Sequence, residues 1–444
     1  MVLTAFPSAD TARFRAKGPR QLDEISARYG LTPEITTAIR LISQVLPFRV
    51  NDYVLENLID WGDVPADPMF QLMFPQGGML GPEDERRLAK VAGDRAGTRE
   101  LVNRIRARLN PHPSGQKQLN VPRLHGSDIA GVQHKYRETV LYFPGQGQSC
   151  HAYCTYCFRW AQFVGDADLR FAAARPDELI EYLHCHPDVT DVLVTGGDPM
   201  VMSTERLASH LMPLLAVESV QTIRIGTKSP AYWPHRFVTD NDADDVLRLF
   251  ESVVGSGRHL AVMAHFSHPR ELRTDLARAA VSRIRSTGAV VYCQAPMIAR
   301  VNDDAATWAQ LWRAELAAGA VPYYLFVERD TGPHEYFKVP LAKAVRLFQD
   351  AYRQLPGLAR TVRGPVMSAT PGKVIIDGVE TTPRGRFFQL RMLQARDPSL
   401  AGRPFRALYS PSAAWLTDLQ LDLTAPQDIA AAVLGRPSPV RASA

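Results

Sequence analysis

Val140-Leu141-Tyr142-Phe143-Pro144-Gly145-Gln146-Gly147-Gln148-Ser149-Cys150-His151-Ala152-Tyr153-Cys154-Thr155-Tyr156-Cys157 joins a short apolar run to a loop with three cysteines. The run is rich in branched and aromatic residues and stops at Pro144-Gly145, as a buried strand followed by a turn does. Five more runs of this kind follow: Val192–Thr195, Ile223–Gly226, Leu260–His265, Val290–Gln294 and Pro322–Val327. Helix signals lie between them. Asp177–His184 follows Pro176 and ends before Pro187. Val246, Leu247, Leu249, Phe250 and Val253 make an apolar stripe at helical spacing, and Trp308, Leu311 and Trp312 make another. Six β–α repeats predict an α/β fold with a parallel sheet, open or partly closed as a (β/α)6 barrel resembling a TIM barrel. In such sheets the chemistry gathers at the carboxyl ends of the strands. Gly196-Gly197-Asp198, His265, Gln294 and Glu328-Arg329 stand at those ends.

Around this core the chain of 444 residues is too long for one compact unit. Residues 1–125 read as a mostly helical region, interrupted by polar stretches such as Asn110-Pro111-His112-Pro113-Ser114-Gly115. Residues 126–345 read as the core. Beyond about 345 the alternation fades, and 346–444 read as an appended C-terminal domain ending in a disordered tail, Pro437–Ala444. Apolar content of 45% and charged content of 22% are ordinary for a globular protein. A net charge of +5, without a basic block, gives no reason to expect nucleic acid or a membrane surface as partner. The N-terminus has no secretory pattern, and no apolar stretch is long enough to span a bilayer. Five cysteines, three of them clustered, do not make a secreted disulfide framework and point to a reducing cytoplasm.

Cys150, Cys154 and Cys157 are spaced so that one tight loop can wrap a compact metal centre. Thiolates suit iron–sulfur clusters and zinc. A structural zinc site takes four ligands. Three are local here, Cys185 and Cys293 are distant in sequence, and His151 is the nearest candidate for a fourth. Three cysteines on a four-iron cluster leave one iron open to a substrate. Three buried cysteines without metal are the bland alternative. His184-Cys185-His186 reads as a polar helix end before Pro187, and Trp308 and Trp312 read as helix packing.

Cys-x3-Cys-x2-Cys after the first strand of a β/α array resembles the signature of the radical S-adenosylmethionine enzymes. Tyr156 before the last cysteine and Gly196-Gly197-Asp198-Pro199 after the next strand match that pattern. The resemblance implies that Cys150, Cys154 and Cys157 ligate a [4Fe–4S] cluster whose open iron chelates S-adenosylmethionine. One electron, from a donor such as flavodoxin or ferredoxin, then releases a 5′-deoxyadenosyl radical. Gly196, Gly197 and Asp198 would hold the methionyl amino group, with His265 and Gln294 near the same pocket. A longer resemblance, from about Val50 to Val327 and loosely to about Gln420, is to the lysine 2,3-aminomutase branch. It is carried by Asn51–Pro75, His134-Lys135-Tyr136, Cys157-Phe158-Arg159, Ile223-Arg224-Ile225-Gly226 with Pro230, His265-Phe266-Ser267-His268-Pro269, Gln294 with Val301-Asn302-Asp303, and Pro322-Tyr323-Tyr324. The branch implies an isomerase that moves an amino group of an amino acid held on pyridoxal 5′-phosphate.

Arg159 matches the arginine that pairs with the substrate carboxylate, and a guanidinium suits bidentate carboxylate binding. Lys373, in Thr370-Pro371-Gly372-Lys373, matches the lysine that carries pyridoxal phosphate, with the family's glycine-rich run reduced to one glycine. Two phosphate-binding arginines of the family map to Lys135 and Thr139, so one charge is missing. Arg137 is close in sequence, but in an extended strand it need not share their face. Two aspartates that hold a lysine ammonium map to Arg329 and Ser368. A cation cannot hold an ammonium, so an anionic or neutral substrate side chain is expected, unless Asp330 takes that place. These departures leave two other readings open. One is a radical enzyme without pyridoxal phosphate, acting as an epimerase, a dehydrogenase or a peptide-modifying enzyme. The other is a non-catalytic iron–sulfur or zinc protein. The expected partners are a small amino acid and the electron donor, with a homo-oligomer allowed.

Overall fold

All six apolar runs form strands, and they pair in chain order. We number the strands of the main sheet β1 Val132–Tyr136, β2 Thr139–Tyr142, β3 Asp191–Val194, β4 Thr222–Thr227, β5 His259–His265, β6 Val290–Met297, β7 Val321–Val327, β8 Arg363–Ser368, β9 Gly372–Thr382, β10 Gly385–Ala395 and β11 Pro404–Leu408. They lie in one sheet in linear order from β1 to β11. Strands β2 to β8 are mutually parallel. Strands β1 and β9 to β11 pair antiparallel at the two ends. This computed structural model describes residues 13–91, 93–110, 119–165 and 171–435. His112–Gly115 and the tail Pro437–Ala444 lie outside the described residues.

The helices α1 Asp177–Cys185, α2 Thr204–Leu211, α3 Ala243–Gly255, α4 Asp275–Ser286, α5 Ala305–Ala317 and α6 Leu341–Arg353 connect successive parallel strands. Right-handed crossovers between neighbouring strands place such helices on one face of the sheet. Alternation supplies that face. Val192, Val194, Ile223 and Ile225 are fully buried, while Asp191, Leu193, Arg224 and Gly226 point the other way and are less buried. Each fully buried branched side chain contributes about 1.5–3 kcal/mol. The stripe on α3 is buried as the spacing predicts. Trp308 and Trp312 are buried on α5 with ring centroids 5.3 Å apart, so they are packing residues.

The alternation read as fading near residue 345 in fact continues through α6 into β8, a seventh parallel strand. Gly364-Pro365 breaks the branched pattern by which the others are recognised. Strands β9 to β11 then extend the same sheet. The N-terminal region is helical, with Leu22–Tyr29, Pro33–Ile42, Asp52–Asn57, Pro68–Met73, Pro82–Lys90 and Arg95–Leu109 among its elements. Among the described residues no helix is long and apolar enough to cross a membrane.

Candidate functional site

The cysteine loop follows β2 and is clamped from the N-terminal region. The Tyr153 N–H donates to the Arg49 carbonyl (2.9 Å), and the Thr155 N–H donates to the Leu72 carbonyl (2.9 Å). Asn51 Nδ2 donates to the carbonyls of His151 (3.2 Å) and Tyr232 (3.0 Å), and Arg49 Nη1 donates to that of Cys150 (3.2 Å). Burial pushes all three thiols up, Cys157 to about 12. Each cysteine also has its own cation pulling the other way: Arg49 for Cys150, Lys228 for Cys154 and Arg159 for Cys157. The Tyr232 hydroxyl lies 3.4 Å from Cys154 Sγ. Buried thiols with one cation apiece suit ligands that bind as thiolates.

Among the described residues no three His, Cys, Asp or Glu side chains converge on a single-ion position. A four-iron cluster asks for a wider spread than a single ion does, since each thiolate takes its own iron. His151 is not a free fourth ligand. Its Nδ1 is 2.9 Å from Ser229 Oγ, its ring packs edge-on against Phe14 and stacks near Trp233, and burial lowers its pKa to about 3. Cys293 is buried and Cys185 exposed, away from the loop. His186 of the His-Cys-His triplet stacks on Tyr182 at 3.8 Å and bonds that residue's carbonyl, which is packing.

Gly196, Gly197 and Asp198 lie directly against this loop. The Gly197 N–H donates to the Gly147 carbonyl (3.0 Å), and the Asp198 N–H donates to those of Gly147 (3.1 Å) and Ser149 (2.7 Å). A Cβ on Gly197 would stand 2.4 Å from the Ser149 oxygen, so only glycine permits this approach. The Asp198 carboxylate is buried and occupied. It accepts from Met200 N (2.9 Å), Thr227 Oγ1 (2.7 Å), Lys228 N (2.9 Å) and Ser229 Oγ (3.1 Å). Burial raises its pKa and these four donors pull it down. Its side chain ties strand ends together.

His265 and Gln294, register partners on β5 and β6, meet with the Gln294 amide donating to His265 Nε2 at 2.9 Å. Burial and the nearby Lys228 lower the His265 pKa to about 3, so the ring is a neutral acceptor. Lys228 Nζ donates to the His265 carbonyl (3.2 Å) and to Ser267 Oγ (3.2 Å), and pairs with Glu271 Oε1 (2.7 Å). Ser267 Oγ is in turn 3.1 Å from the Tyr156 hydroxyl.

Arg159 lies over the Phe143 ring at 4.2 Å and donates to Gln162 Oε1 at 2.6 Å. Its Nε is buried without a partner, and burial lowers its pKa to about 10. A buried N–H without a partner carries a desolvation penalty. Arg329 lies over the Phe158 ring at 5.3 Å, and burial lowers its pKa. Ser368 is the register partner of Lys373 across β8 and β9.

Lys373 Nζ donates to Gln394 Oε1 (2.7 Å) and lies 4.9 Å from the Tyr324 ring and 5.6 Å from the Tyr136 ring. Burial, with Arg224 and Arg363 adding to it and Asp191 opposing, lowers its pKa to about 7. A desolvated lysine beside other cations is the arrangement that frees an amine for attack on a carbonyl. Lys135 Nζ donates to the Ala369 carbonyl, and burial lowers its pKa to about 7 as well. Thr139 does not join it: its hydroxyl turns to Asp191 Oδ2 (3.4 Å), which Arg224 also holds. Arg137 cannot replace the missing charge either, for it pairs with Asp188 on the surface.

Sequence reading missed Arg49, Lys228, Tyr232 and Arg363. Lys228 alone carried a local signal, just past the end of a predicted strand. The others reach the site only through pairings distant in sequence.

No family model matches the chain. It is 32% identical over 384 residues to an Aquifex aeolicus protein named "Putative L-lysine 2,3-aminomutase", covering 85% of this chain and 88% of that one. It is 27% identical over 233 residues to the L-lysine 2,3-aminomutase of Fusobacterium nucleatum, about half of each chain. To that of Escherichia coli it is 27% identical over 243 residues, 54% of this chain and 67% of the other. With the cysteine loop, the glycine segment bonded to it and a relative matched over most of both lengths, the chain belongs to the lysine 2,3-aminomutase-like family of radical S-adenosylmethionine proteins.

Proposed function

We propose that the chain is an amino-acid 2,3-aminomutase that uses a [4Fe–4S] cluster, S-adenosylmethionine and pyridoxal 5′-phosphate. The observation that carries the reading is Lys373, a buried amine with its pKa lowered to about 7, held between two tyrosine rings. When bound, the cluster and S-adenosylmethionine supply a hydrogen-abstracting radical, and pyridoxal phosphate supplies a carbonyl on which an amino group can be relocated.

The chain's own residues divide the remaining work. Cys150, Cys154 and Cys157 ligate iron, and Arg49, Lys228 and Arg159 offset their charge. Gly196, Gly197 and Asp198, with His265 and Gln294, seat S-adenosylmethionine. Lys373 offers its free amine to the cofactor carbonyl, and Lys135 faces the cofactor's anionic end. Arg159 takes the substrate carboxylate through its unmatched Nε–H and the N–H beside it. Arg329 and Ser368 stand where a lysine-specific enzyme would need acids, which fits a substrate whose side chain is anionic or neutral.

We read the sheet as a partly closed barrel around this site. Six strands separate β1 from β8, yet Lys135 on β1 bonds Ala369 just past β8, so the two ends face one another. A reducing, cytoplasmic setting and an electron donor such as flavodoxin or ferredoxin complete this reading.

The test is anaerobic reconstitution with iron, sulfide and S-adenosylmethionine, with and without pyridoxal phosphate, while candidate amino acids are screened for 5′-deoxyadenosine and β-amino products. Borohydride fixation should mark Lys373. Cleavage of S-adenosylmethionine without any mark on Lys373 would move the chain to the reading without pyridoxal phosphate.

A further inference from the structure

Lys135, Arg329, Lys373 and Arg396 come together around Tyr136. The fields of Arg329, Arg396 and Lys373 all bear on Lys135, and those of Arg329 and Arg396 bear on the Tyr136 hydroxyl. The Lys135 and Lys373 amines lie 5.3 and 5.6 Å from the Tyr136 ring centroid. The Tyr136 hydroxyl is buried and has no hydrogen-bond partner. Among the described residues no carboxylate is ion-paired with any of the four cations. Two carboxylates reach the group: Asp191, already held by Arg224, beside Lys373, and Asp330 beside Arg329. A buried donor and a surplus of positive charge at one place call for an anion.

Arg396 reaches this place through strand pairing. Gly372 pairs with Ala395 and Lys373 with Gln394, and the Arg396 N–H donates to the Pro371 carbonyl at 2.9 Å. A Cβ on Gly372 would stand 2.1 Å from the Gln394 oxygen, so the turn before Lys373 is pressed against the strand that carries Arg396. Arg396 lies one residue past the end of β10, where its bond to Pro371 holds it beside the turn that leads into Lys373. Its two terminal nitrogens donate to the Leu119 carbonyl (2.7 Å) and Asn120 Oδ1 (2.6 Å), which fixes the guanidinium while other donors remain.

We propose that Lys135, Arg396 and the Tyr136 hydroxyl form the subsite for the phosphate monoester of the cofactor, with Arg396 supplying the positive charge that Thr139 does not. The inference rests on the pyridoxal phosphate reading above and goes beyond it by naming how the dianion is held.

The experiment compares binding of pyridoxal phosphate and of phosphate-free pyridoxal to the full-length protein, read by visible absorbance and borohydride-fixed mass on Lys373. The wild type should favour pyridoxal phosphate strongly. Arg396→Gln and Lys135→Gln should each weaken pyridoxal phosphate tenfold or more while leaving pyridoxal unchanged, and Arg396→Lys should recover part of the loss. Inorganic phosphate should compete with pyridoxal phosphate in the wild type but not in Arg396→Gln. Equal pyridoxal phosphate affinity in the wild type and Arg396→Gln overturns the subsite and leaves the cofactor in place. A variant that loses both ligands has lost its fold at the site, and Arg396→Lys then decides: no recovery overturns the proposal. A wild type that binds neither ligand removes the cofactor reading, and the subsite with it.

Discussion

Lys373 Nζ donates a 2.7 Å hydrogen bond to Oε1 of Gln394, its cross-strand partner on β10. The partner is a neutral amide, so nothing in this bond selects the ammonium as a carboxylate would. With its pKa at about 7, the amine is half free at neutral pH and mostly free one unit above. Gln394→Glu should favour the charged form and move the midpoint of cofactor capture toward the ordinary lysine range. Capture at pH 7 should then slow about tenfold or more. The initial rate of borohydride-fixable adduct from pH 6 to 10 checks this, and unchanged midpoints in the two proteins would contradict it.

Arg159 presents an unmatched donor in a buried place. Arg159→Gln should raise KM for the turned-over amino acid about 10- to 100-fold, equivalent to losing a charge-assisted bond of about 1.5–3 kcal/mol. The maximal rate should change less. Equal falls in kcat and kcat/KM would instead place the arginine on the reacting atoms.

Lys228 and Glu271 form a buried ion pair beneath the cysteine loop, and Glu271 also accepts from the Ser267 and His268 N–H groups. Breaking such a pair from one side leaves a buried charge alone. Lys228→Met should therefore destabilise the protein by about 3–5 kcal/mol, and the double variant Lys228→Met/Glu271→Gln by clearly less. Urea unfolding of the two proteins under anaerobic conditions measures the difference. Equal losses would mean that the pair is not coupled.

Glu315 is buried on α5, and burial, with the field of Glu271 adding to it, raises its pKa well above 4.5. The folded protein therefore keeps the proton while the unfolded chain gives it up above pH 4.5. Stability drains from the wild type as pH rises through that window, by about 1.4 kcal/mol per unit from this group. Glu315→Gln has no proton to lose, so its advantage over the wild type should widen from pH 5 to 7. Parallel stability curves for the two proteins would sink the assignment.

Much of this fold is legible in the sequence itself. Runs such as Val192–Thr195 are apolar and rich in branched residues and state their strand character locally, and the spacing of Cys150, Cys154 and Cys157 puts the three in one loop. Strand β8 was not readable, because Gly364-Pro365 hides it and only its neighbour Val321–Val327 makes it a strand. Asp198 was readable as part of a motif, yet its carboxylate turns inward to Thr227 and Ser229, partners that a linear reading does not supply. Arg396 escaped notice for the same reason. Its relevance comes from the pairing of Gly372 with Ala395, and register is a property of two strands rather than of either one.

The bond from Lys135 to the Ala369 carbonyl has a mechanical side. It joins the first strand of the sheet to the turn beyond the eighth, and one of its two ends is an amine crowded by like charges. An anion that relieves that crowding would act as a clasp, drawing the outer edges of the molecule shut over whatever the anion carries. Resistance to proteolysis near β1 and the turn at Ala369 would then report loading directly, before any turnover begins.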